Sequence, residues 1–252
     1  MQFVVGAKSR ITGTEDAETL VGDGLNNEMR GLGGNDRLLG NAGNDTLIGG
    51  GGSDFLEGGE GVDTASYAES SVGINADLKS DAVVLGFDPN APRDADPDTF
   101  ASVENLVGSA FGDTLTGTAG DNDIEGGLGA DVLTGSGGSD RFVFRSPGQG
   151  IDRITDFASD DRLLVAATGF GGGLGAGIPL DYSDPVGVFG STGTFVSGPS
   201  PVANQPTATF LYDMSTGTLS YDIDGTGATG AVAIVTLEGI LTLTSSQIAV
   251  VT

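Results

Sequence analysis

The chain of 252 residues contains no histidine, no cysteine and no tryptophan, and only 10 of its side chains are basic. Without histidine, the usual zinc sites, the HExxH protease motif and Ser-His-Asp triads are excluded, and without cysteine so are thiol nucleophiles and disulfides. The few basic side chains stand against 35 acidic ones, which gives a formal charge of −25. A chain of that sign is a poor partner for nucleic acid or for an anionic membrane.

The chain also lacks a long apolar run. No segment reaches the roughly 18 apolar residues that a membrane-spanning helix needs. The N-terminal sequence MQFVVGAKSR has no basic region before an apolar stretch, which a cleaved signal peptide requires. The sequence therefore predicts neither a spanning helix nor a cleaved N-terminal signal, and on this evidence alone the protein would be cytosolic.

Glycine, in contrast, is abundant, with 45 residues, and much of it recurs with a nine-residue period. Four consecutive windows from Gly31, namely GLGGNDRLL, GNAGNDTLI, GGGGSDFLE and GGEGVDTAS, match the pattern GGxGxDxUx, in which U is apolar. A single GxGxD occurs by chance in any glycine-rich loop, but four copies in phase do not. The sixth residues are Asp36, Asp45, Asp54 and Asp63, and the eighth residues are Leu38, Leu47, Leu56 and Ala65.

The same period continues with weaker matches on both sides. Two upstream windows, residues 13–21 and 22–30, keep the opening glycine and an apolar eighth residue but carry Glu18 and Asn27 at the sixth position, as edge repeats would. The period resumes at Gly108 with GSAFGDTLT, GTAGDNDIE, GGLGADVLT and GSGGSDRFV. Their sixth residues are Asp113, Asn122, Asp131 and Asp140, and a loosened last copy ends with Asp152 and Ile154.

The chemistry of the repeat points to calcium. Glycines at the first, second and fourth positions allow a turn with positive φ that brings backbone carbonyls inward, and the aspartate adds a hard carboxylate. The three residues around the apolar position are too few for an independent strand, so each window should form half a turn of a coil with its apolar side chain inward. Each aspartate should then lie about 4.8 Å from the aspartate two windows later. The expected ladders are Asp36 with Asp54, Asp45 with Asp63, and Asp113 with Asp131.

Electrostatics couple this coil to its cation. Two carboxylates about 5 Å apart repel by roughly 3 kcal/mol at an effective dielectric near 20, comparable with the roughly 1.5–3 kcal/mol gained by burying one leucine. Without cations the coil should not close, and a Ca²⁺ ion between neighbouring loops reverses the sign of this interaction. We therefore predict a disordered calcium-free state and a folded calcium-bound state.

The predicted calcium ligands are the opening glycine, the third residue and the sixth residue of the better repeats, together with two aspartates of the segment that closes the second block. In the first block they are Asn27, Gly31, Gly33, Asp36, Gly40, Ala42, Asp45, Gly49, Gly51, Asp54, Gly58 and Asp63. In the second block they are Gly108, Asp113, Gly117, Asn122, Gly126, Asp131, Gly135 and Asp140, followed by Asp152 and Asp156. For the closing segment, one or two further cations and purely structural capping are both open.

The windows 31–66 and 108–143 resemble the nonapeptide repeats of the RTX (repeats-in-toxin, hemolysin-type) calcium-binding proteins of Gram-negative bacteria. The segments GVDTASYAES, SVENLVGSAFGDTLTG, GGSDRFVF and DRITDFASDDRLLV are also similar to sequences that recur around RTX repeat blocks. The resemblance implies an all-β parallel β-roll, several Ca²⁺ ions and export by a type I (ABC) secretion machinery under an uncleaved C-terminal signal. Such a protein folds on calcium outside the cell or at its surface, and a missing N-terminal signal is then expected. No active-site residue of the family's enzymes can be carried over.

The places where the period fails predict the organisation. Residues 1–66 form a first roll block with edge repeats, 67–107 an interrupting β segment, 108–165 a second block with its cap, and 166–252 a β-rich C-terminal region that holds the secretion signal. The interruption is interpreted as one extra β-turn with an exposed acidic excursion around Asp88 to Asp98.

Alternating segments predict further strands in the C-terminal region, with a hairpin turn at residues 214–217. The segment from Asp222 to Gly227 has the oxygen and glycine chemistry of a calcium loop but lacks the later glutamate of an EF-hand, so a simple turn is favoured. The predicted strands are residues 186–189, 207–213, 218–222, 231–237 and 241–243.

Three classes of function remain open. The first is a secreted, non-enzymatic calcium-binding RTX protein with a structural or interaction role toward an unknown cell-surface or matrix partner. The second is the calcium-binding and secretion portion of a larger secreted enzyme or toxin of the protease, lipase, epimerase or hemolysin type. The third is a calcium-assisted hydrolase that uses an acid outside the repeats, such as Asp156 or Asp224. The sequence favours the first.

Overall fold

The computed structural model describes residues 2–5, 10–80, 82–85, 97–174, 187–189, 193–239 and 242–251, and the described residues form two sheets whose strands are numbered along the chain. The first sheet contains β1 Gln2–Val5, β3 Glu18–Val21, β5 Arg37–Ala42, β7 Phe55–Glu60, β9 Ile74–Asp77, β10 Ala82–Leu85, β11 Thr99–Ala101, β13 Thr114–Thr116, β15 Val132–Thr134, β17 Asp152–Ile154, β19 Gly187–Phe189, β20 Gly193–Gly198, β21 Ala208–Asp213, β22 Thr218–Asp222 and β23 Val232–Leu237. The second contains β2 Arg10–Thr12, β4 Glu28–Gly33, β6 Thr46–Gly51, β8 Thr64–Ser66, β12 Asn105–Val107, β14 Asp123–Glu125, β16 Arg141–Phe144, β18 Arg162–Ala166 and β24 Ile248–Val251. One α-helix, α1 Ala167–Phe170, and one 3₁₀ helix, Ser245–Gln247, complete the described elements.

Successive strands of the repeats alternate between the two sheets, so the chain winds as a parallel β-roll. Each strand pairs in parallel with the strand two windows away, as in Leu38 with Leu56 in the first sheet and Met29 with Leu47 in the second. Two nonapeptides therefore make one turn of the coil. This register confirms the predicted all-β parallel β-roll.

The eighth residues of the repeats form the core between the two sheets. A single apolar side chain points inward from each short strand, and its neighbours point outward, as the period of two in a strand requires. On the outer faces, arginines pair with acidic residues of adjacent strands, as in Arg10 with Glu28 and Arg141 with Asp123. The inward side chains without exposed surface include Leu20, Met29, Leu38, Leu47, Leu56, Ala65, Leu106, Leu115, Ile124, Leu133 and Phe142.

The interruption between the blocks differs from the single extra β-turn that we predicted. In the second sheet one strand of the interruption, β12, is inserted between β8 of the first block and β14 of the second. In the first sheet three strands separate β7 from β13, in the order β11, β10, β9. Strands β9 and β10 form an antiparallel hairpin, since the apolar run of β10 folds back onto the alternating strand β9 instead of advancing to the other sheet.

The C-terminal region extends both sheets of the roll. Strands β20 to β23 add to the first sheet, where β23 pairs in parallel with β17, and β24 pairs in parallel with β18 in the second. The strands predicted near residues 186–189, 207–213, 218–222 and 231–237 are present, and β20 is an additional strand. The strand predicted at 241–243 is wrong for the residues described there, because 242–244 have no strand pairing.

No helix of the described residues could cross a membrane. The α-helix α1 has four residues, far short of the roughly 20 that a bilayer requires.

Candidate metal centre

The turns of the repeats lie along two edges of the roll. The first edge consists of the turns that lead from the second sheet to the first sheet. The second edge consists of the turns that lead from the first sheet back to the second sheet. The sixth residue of every repeat ends such a turn with its side chain buried, at most 3% exposed. On the first edge these residues are Glu18, Asp36, Asp54, Asp113 and Asp131, and on the second they are Asn27, Asp45, Asp63, Asn122 and Asp140.

One oxygen of each such carboxylate joins consecutive coil turns. The backbone N–H of Asp36 donates to Oδ1 of Asp54 at 2.8 Å, that of Asp45 to Asp63 at 2.7 Å, and that of Asp113 to Asp131 at 2.8 Å. These are the three predicted ladders, and they are confirmed. Edge repeats join in the same way, because Glu18 and Asn27 donate to Asp36 and Asp45. The ladder thus satisfies buried backbone N–H groups that have no strand partner.

The ladder also runs through residues that the repeat pattern did not identify. Asp98 accepts the N–H of Asp54, Glu104 accepts that of Asp63, and Asp161 accepts that of Asp140. Each lies two residues before a buried apolar side chain of the following strand, Phe100, Leu106 and Leu163. An acidic residue followed at the second position by a buried apolar residue is the sequence signal that would have found them.

Asp98 is therefore a correction to the sequence interpretation, which placed it at the end of an exposed excursion. The side chain is 1% exposed, and its Oδ2 accepts the hydroxyl of the buried Tyr67 at 2.9 Å. Burial and the neighbouring Asp98 charge raise the pKa of Tyr67 well above its usual range. The preceding residues of the excursion, 86–96, lie outside the described part of the chain.

The second oxygen of five ladder aspartates has no partner. These Oδ2 atoms are buried and make no hydrogen bond within the described part of the chain, and none of the ion pairs found there includes them. Burial raises the pKa of Asp54 to about 7 and that of Asp36 and Asp131 to about 6, because the charged form is poorly solvated. A buried unpaired polar atom is costly and requires an explanation. The five residues are Asp36, Asp45, Asp54, Asp63 and Asp131.

Backbone carbonyls converge on the same space. A Cβ atom built on Gly31 would lie 2.2 Å from Oδ2 of Asp36 and 2.4 Å from the carbonyl oxygen of Gly49, one coil turn away. The equivalent atom on Gly40 would lie 2.2 Å from Asp45 Oδ2. Position one therefore has to be glycine, because a carboxylate and a carbonyl of the next coil turn flank it.

Positive φ angles turn further carbonyls toward the next coil turn. Gly50 and Gly52 have φ of 97° and 123°, and Cβ atoms there would lie 2.1 and 2.0 Å from the carbonyl oxygens of Leu32 and Gly34. The third residues also lie in these turns: Gly33 pairs with Gly51, and the N–H of Ala42 donates to the carbonyl of Asp23 at 3.4 Å.

This donor set fits calcium. One hard carboxylate oxygen per turn, with carbonyl oxygens from the same and the adjacent coil turn, is the ligand type that Ca²⁺ prefers. No cluster of three or more acidic, histidine or cysteine side chains exists among the described residues, so carbonyls would have to supply most ligands. When bound, the ion would supply the positive charge that the buried carboxylates lack.

The closing segment is bonded differently. Both oxygens of Asp156 accept backbone N–H groups, from Gly135 at 3.0 Å and Ser136 at 2.8 Å, as structural capping requires. Asp152, in contrast, continues the first-edge ladder by accepting the N–H of Asp131 at 3.1 Å, and burial raises its pKa to about 7. In the C-terminal region, Asp222 Oδ1 accepts the N–H of Gly225 at 2.9 Å, which closes the simple turn favoured above.

Comparison with known proteins agrees with the repeat geometry. The family model described as the RTX calcium-binding nonapeptide repeat (four copies) matches residues 12–45, 30–65 and 107–142. Over these windows the chain carries RTX calcium-binding nonapeptide repeats. No relative is found among the curated proteins.

Among solved structures, the chain is similar to the extracellular lipase LipA from Serratia marcescens, with 18% sequence identity and a TM-score of 0.29. The alignment covers 92% of this chain and 40% of the lipase. The chain thus spans less than half the length of that enzyme.

Proposed function

We propose that this chain is a calcium-binding module whose roll closes when Ca²⁺ occupies the turns at its two edges, and that it works outside the cell. The observation that carries the proposal is the set of five buried aspartate Oδ2 atoms without a hydrogen-bond partner. Ligands from adjacent coil turns can meet one ion only when the coil is wound, so binding and folding are one event.

The energies favour this coupling. Neighbouring ladder carboxylates repel by roughly 3 kcal/mol each at an effective dielectric near 20, and their burial adds to the cost of the charged form. The calcium-free roll therefore carries a penalty at every such turn, which a divalent cation removes. Weak extracellular sites, with dissociation constants of roughly 10⁻⁴–10⁻³ M, are filled outside cells and empty in a cytosol.

The export route follows from the repeats by family resemblance. We infer a type I (ABC) secretion machinery, a signal within residues 166–252, and an extracellular or cell-surface location. An unfolded chain suits such a channel, and low cytosolic calcium would keep it unfolded. Strand β24, at the C-terminal end of the described chain, would then pair with β18 only after export.

The role we propose is structural or interactive rather than enzymatic. The conspicuous aspartates of the repeats are held in the ladders, and Asp156 accepts two backbone N–H groups. The alternative is the calcium-binding and secretion portion of a larger secreted enzyme or toxin. The reading frame upstream of this sequence distinguishes the two, because a catalytic domain encoded there would favour the second.

Isothermal titration calorimetry with CaCl₂, and with MgCl₂ as the control, tests the proposal. We expect several equivalents of Ca²⁺ to bind and Mg²⁺ to bind far more weakly, because Mg²⁺ demands a smaller octahedral site and gives up its water reluctantly. A variant with all five unpartnered aspartates changed to asparagine should bind little calcium. Absence of heat and of saturation in wild-type protein at 5-fold the expected 10⁻³ M limit, about 5 mM, would refute calcium binding.

A further inference from the structure

The ten turns of the repeats fall into two structural classes. We propose that four of them are closed by their own hydrogen bonds and hold no calcium, so that binding is confined to the others. This inference rests on the proposed function and assigns where within the roll the ions bind. The closed turns are those that end at Glu18, Asn27, Asp113 and Asn122.

In each closed turn a backbone N–H occupies the place of the cation. The N–H of the second residue of the repeat donates to the side chain of the sixth residue. An N–H aimed at this oxygen takes up the lone pair that a metal would need and places a partial positive charge beside it. The four bonds are Thr14 to Glu18 Oε2 at 2.7 Å, Asp23 to Asn27 Oδ1 at 3.0 Å, Ser109 to Asp113 Oδ2 at 2.5 Å and Thr118 to Asn122 Oδ1 at 2.7 Å.

A second hydrogen bond fixes this conformation. The side chain of the second residue accepts the N–H of the fourth residue, in the manner of turns built on short oxygen side chains. All four closed turns have such a residue at the second position. The bonds are Asp16 to Thr14 Oγ1 at 3.2 Å, Leu25 to Asp23 Oδ1 at 2.9 Å, Phe111 to Ser109 Oγ at 3.1 Å and Gly120 to Thr118 Oγ1 at 3.1 Å.

The open turns have the opposite backbone. Their second and fourth residues have positive φ, and their sixth residue is an aspartate whose Oδ2 has no partner. Leu32 and Asn41 adopt φ of 80° and 76°, which is unfavourable for residues with a side chain. Asn41 Nδ2 donates to the carbonyl oxygen of Gly22 at 2.8 Å, but no hydrogen bond from the described residues reaches Oδ2 of Asp36 or Asp45, so this oxygen is left for another ligand. The open turns end at Asp36, Asp45, Asp54, Asp63 and Asp131, and the turn ending at Asp140 shares their backbone, with Ser136 at 87° and Gly138 at 101°.

The sixth residues themselves agree with this division. Two closed turns have a neutral asparagine there, whereas every open turn has an aspartate. Asn122 also uses its amide Nδ2 to donate to the carbonyl oxygen of Glu104 at 2.5 Å and to Thr118 Oγ1 at 3.0 Å. That donor occupies a carbonyl on which a cation at this level of the second edge would depend.

The positions of the closed turns give each block the same construction. The turns ending at Glu18 and Asn27 open the first block, and those ending at Asp113 and Asn122 open the second. Because two repeats make one coil turn, each block begins with a full coil turn that needs no calcium. Those coil turns can form without calcium, and the turns that require calcium can then pair with them as the coil forms.

Native mass spectrometry in calcium, with matched Asp→Asn variants, tests the division by counting bound ions. We expect Asp45→Asn to lose about one ion relative to wild type and Asp113→Asn to keep the wild-type number. Far-UV circular dichroism in saturating calcium verifies that both variants have a folded roll. The converse variant, Ser109→Gly with Phe111→Gly, removes the side-chain hydrogen bond and permits positive φ, so we expect it to gain an ion.

The outcomes separate the inference from the proposed function. If Asp113→Asn loses an ion as Asp45→Asn does, all turns bind calcium and the division is wrong. If the glycine double variant gains no ion, the hydrogen bond is not what keeps calcium out, and the inference is again overturned. If wild-type protein binds no calcium, the proposed function itself fails and the inference fails with it.

Discussion

The open turns of the first block differ from strands β20 to β23, the C-terminal part of the first sheet, in how buried polar groups are satisfied. We call these four strands the C-terminal sheet. In the turns, Asp54 is 2% exposed and its Oδ2 has no hydrogen-bond partner among the described residues. In the C-terminal sheet, the buried Tyr221 donates its hydroxyl to the carbonyl of Gly171 at 3.0 Å and packs against Phe210, with ring centroids 4.9 Å apart. The repeats thus leave buried carboxylate oxygens unpaired, for which we propose a cation, whereas this buried tyrosine of the C-terminal sheet is hydrogen-bonded within the chain.

The largest effect should come from a charge in the core of the roll. Leu47 has no exposed surface and stacks between Met29 and Ala65 in the second sheet. Leu47→Asp removes an apolar contact and buries an unpaired charge, a combination that costs upward of about 4 kcal/mol. We expect no roll to form even in excess calcium, as measured by far-UV circular dichroism.

The control for this variant is Thr46→Asp, which places the same residue on the outward side of the same strand. It should fold at a calcium concentration close to that of wild type. Normal folding of Leu47→Asp in calcium would show that the eighth position is not the core that holds the roll together.

The effect of a variant at an open turn on the free energy of unfolding should change sign between calcium and chelator. Asp54→Asn retains an oxygen to accept the N–H of Asp36 but removes a buried charge. In calcium we expect a loss of about 1–3 kcal/mol, and in chelator a gain of the same order, because the unpaired carboxylate is gone. Urea unfolding in saturating calcium measures the loss, and the residual β signal in chelator, followed by far-UV circular dichroism, measures the gain. A variant that is less stable in calcium and also has less residual β structure in chelator would contradict a calcium-specific role for Asp54.

The pH dependence of the calcium-free roll should be unusual. Burial raises the pKa of Asp54 and Asp152 to about 7 and of Asp36, Asp131 and Asp140 to about 6, against about 3.9 in an unfolded chain. The folded state thus binds protons more tightly, so its stabilisation is complete below about pH 3.9 and is lost as the pH rises through 6 to 7.

We therefore expect more β structure at pH 5 than at pH 8 in buffer freed of divalent ions, and weaker calcium binding at pH 5. Circular dichroism at the two pH values measures the first effect and calorimetry the second. A calcium-free spectrum that loses β structure on acidification would contradict the burial of these carboxylates in the roll.

The smallest effect should come from the C-terminal sheet. Tyr221→Phe keeps the ring contacts with Phe170 and Phe210 but removes the hydrogen bond to Gly171, a change worth about 1 kcal/mol. In saturating calcium, hydrogen exchange of peptides covering β21 to β23 should therefore accelerate by about 5-fold, while the calcium concentration at the midpoint of folding stays close to that of wild type. A large shift of this midpoint would mean that the hydroxyl of Tyr221 contributes to calcium binding.

Much of the roll could be predicted from the sequence, because a nine-residue period fixes both register and orientation. Once two windows make a coil turn, Leu38 has to stack on Leu56 and Asp36 on Asp54, and both pairs are observed. The core positions follow from the same period.

The interruption could not be predicted in this way, because residues 67–104 lose the period and with it the rule for pairing. The antiparallel pairing of β9 with β10 depends on which neighbouring strand the apolar residues of β10 pair with, and the local sequence does not specify this strand. Asp98 was misplaced because its partner Tyr67 lies 31 residues away in the chain.

The two classes of turn were missed for a different reason. The repeat pattern has glycine at the second position, but the windows match with other residues there as well. The second residue decides whether its backbone N–H or open space faces the sixth side chain. Ser109 and Thr118 form the closing hydrogen bonds, but Ser136 adopts positive φ at the same position. The identity of the second residue alone therefore does not predict whether a turn is open or closed, because the conformation of the turn is also needed.

The most direct test of calcium-coupled folding is far-UV circular dichroism of the wild-type protein in chelator, followed by titration with Ca²⁺ to several millimolar and a parallel titration with Mg²⁺. We predict a largely disordered spectrum in chelator and a cooperative change to β structure that Ca²⁺ produces and Mg²⁺ does not. A complete β spectrum in chelator, unchanged by calcium, would contradict the account, because the buried aspartate ladders would then be stable without a cation.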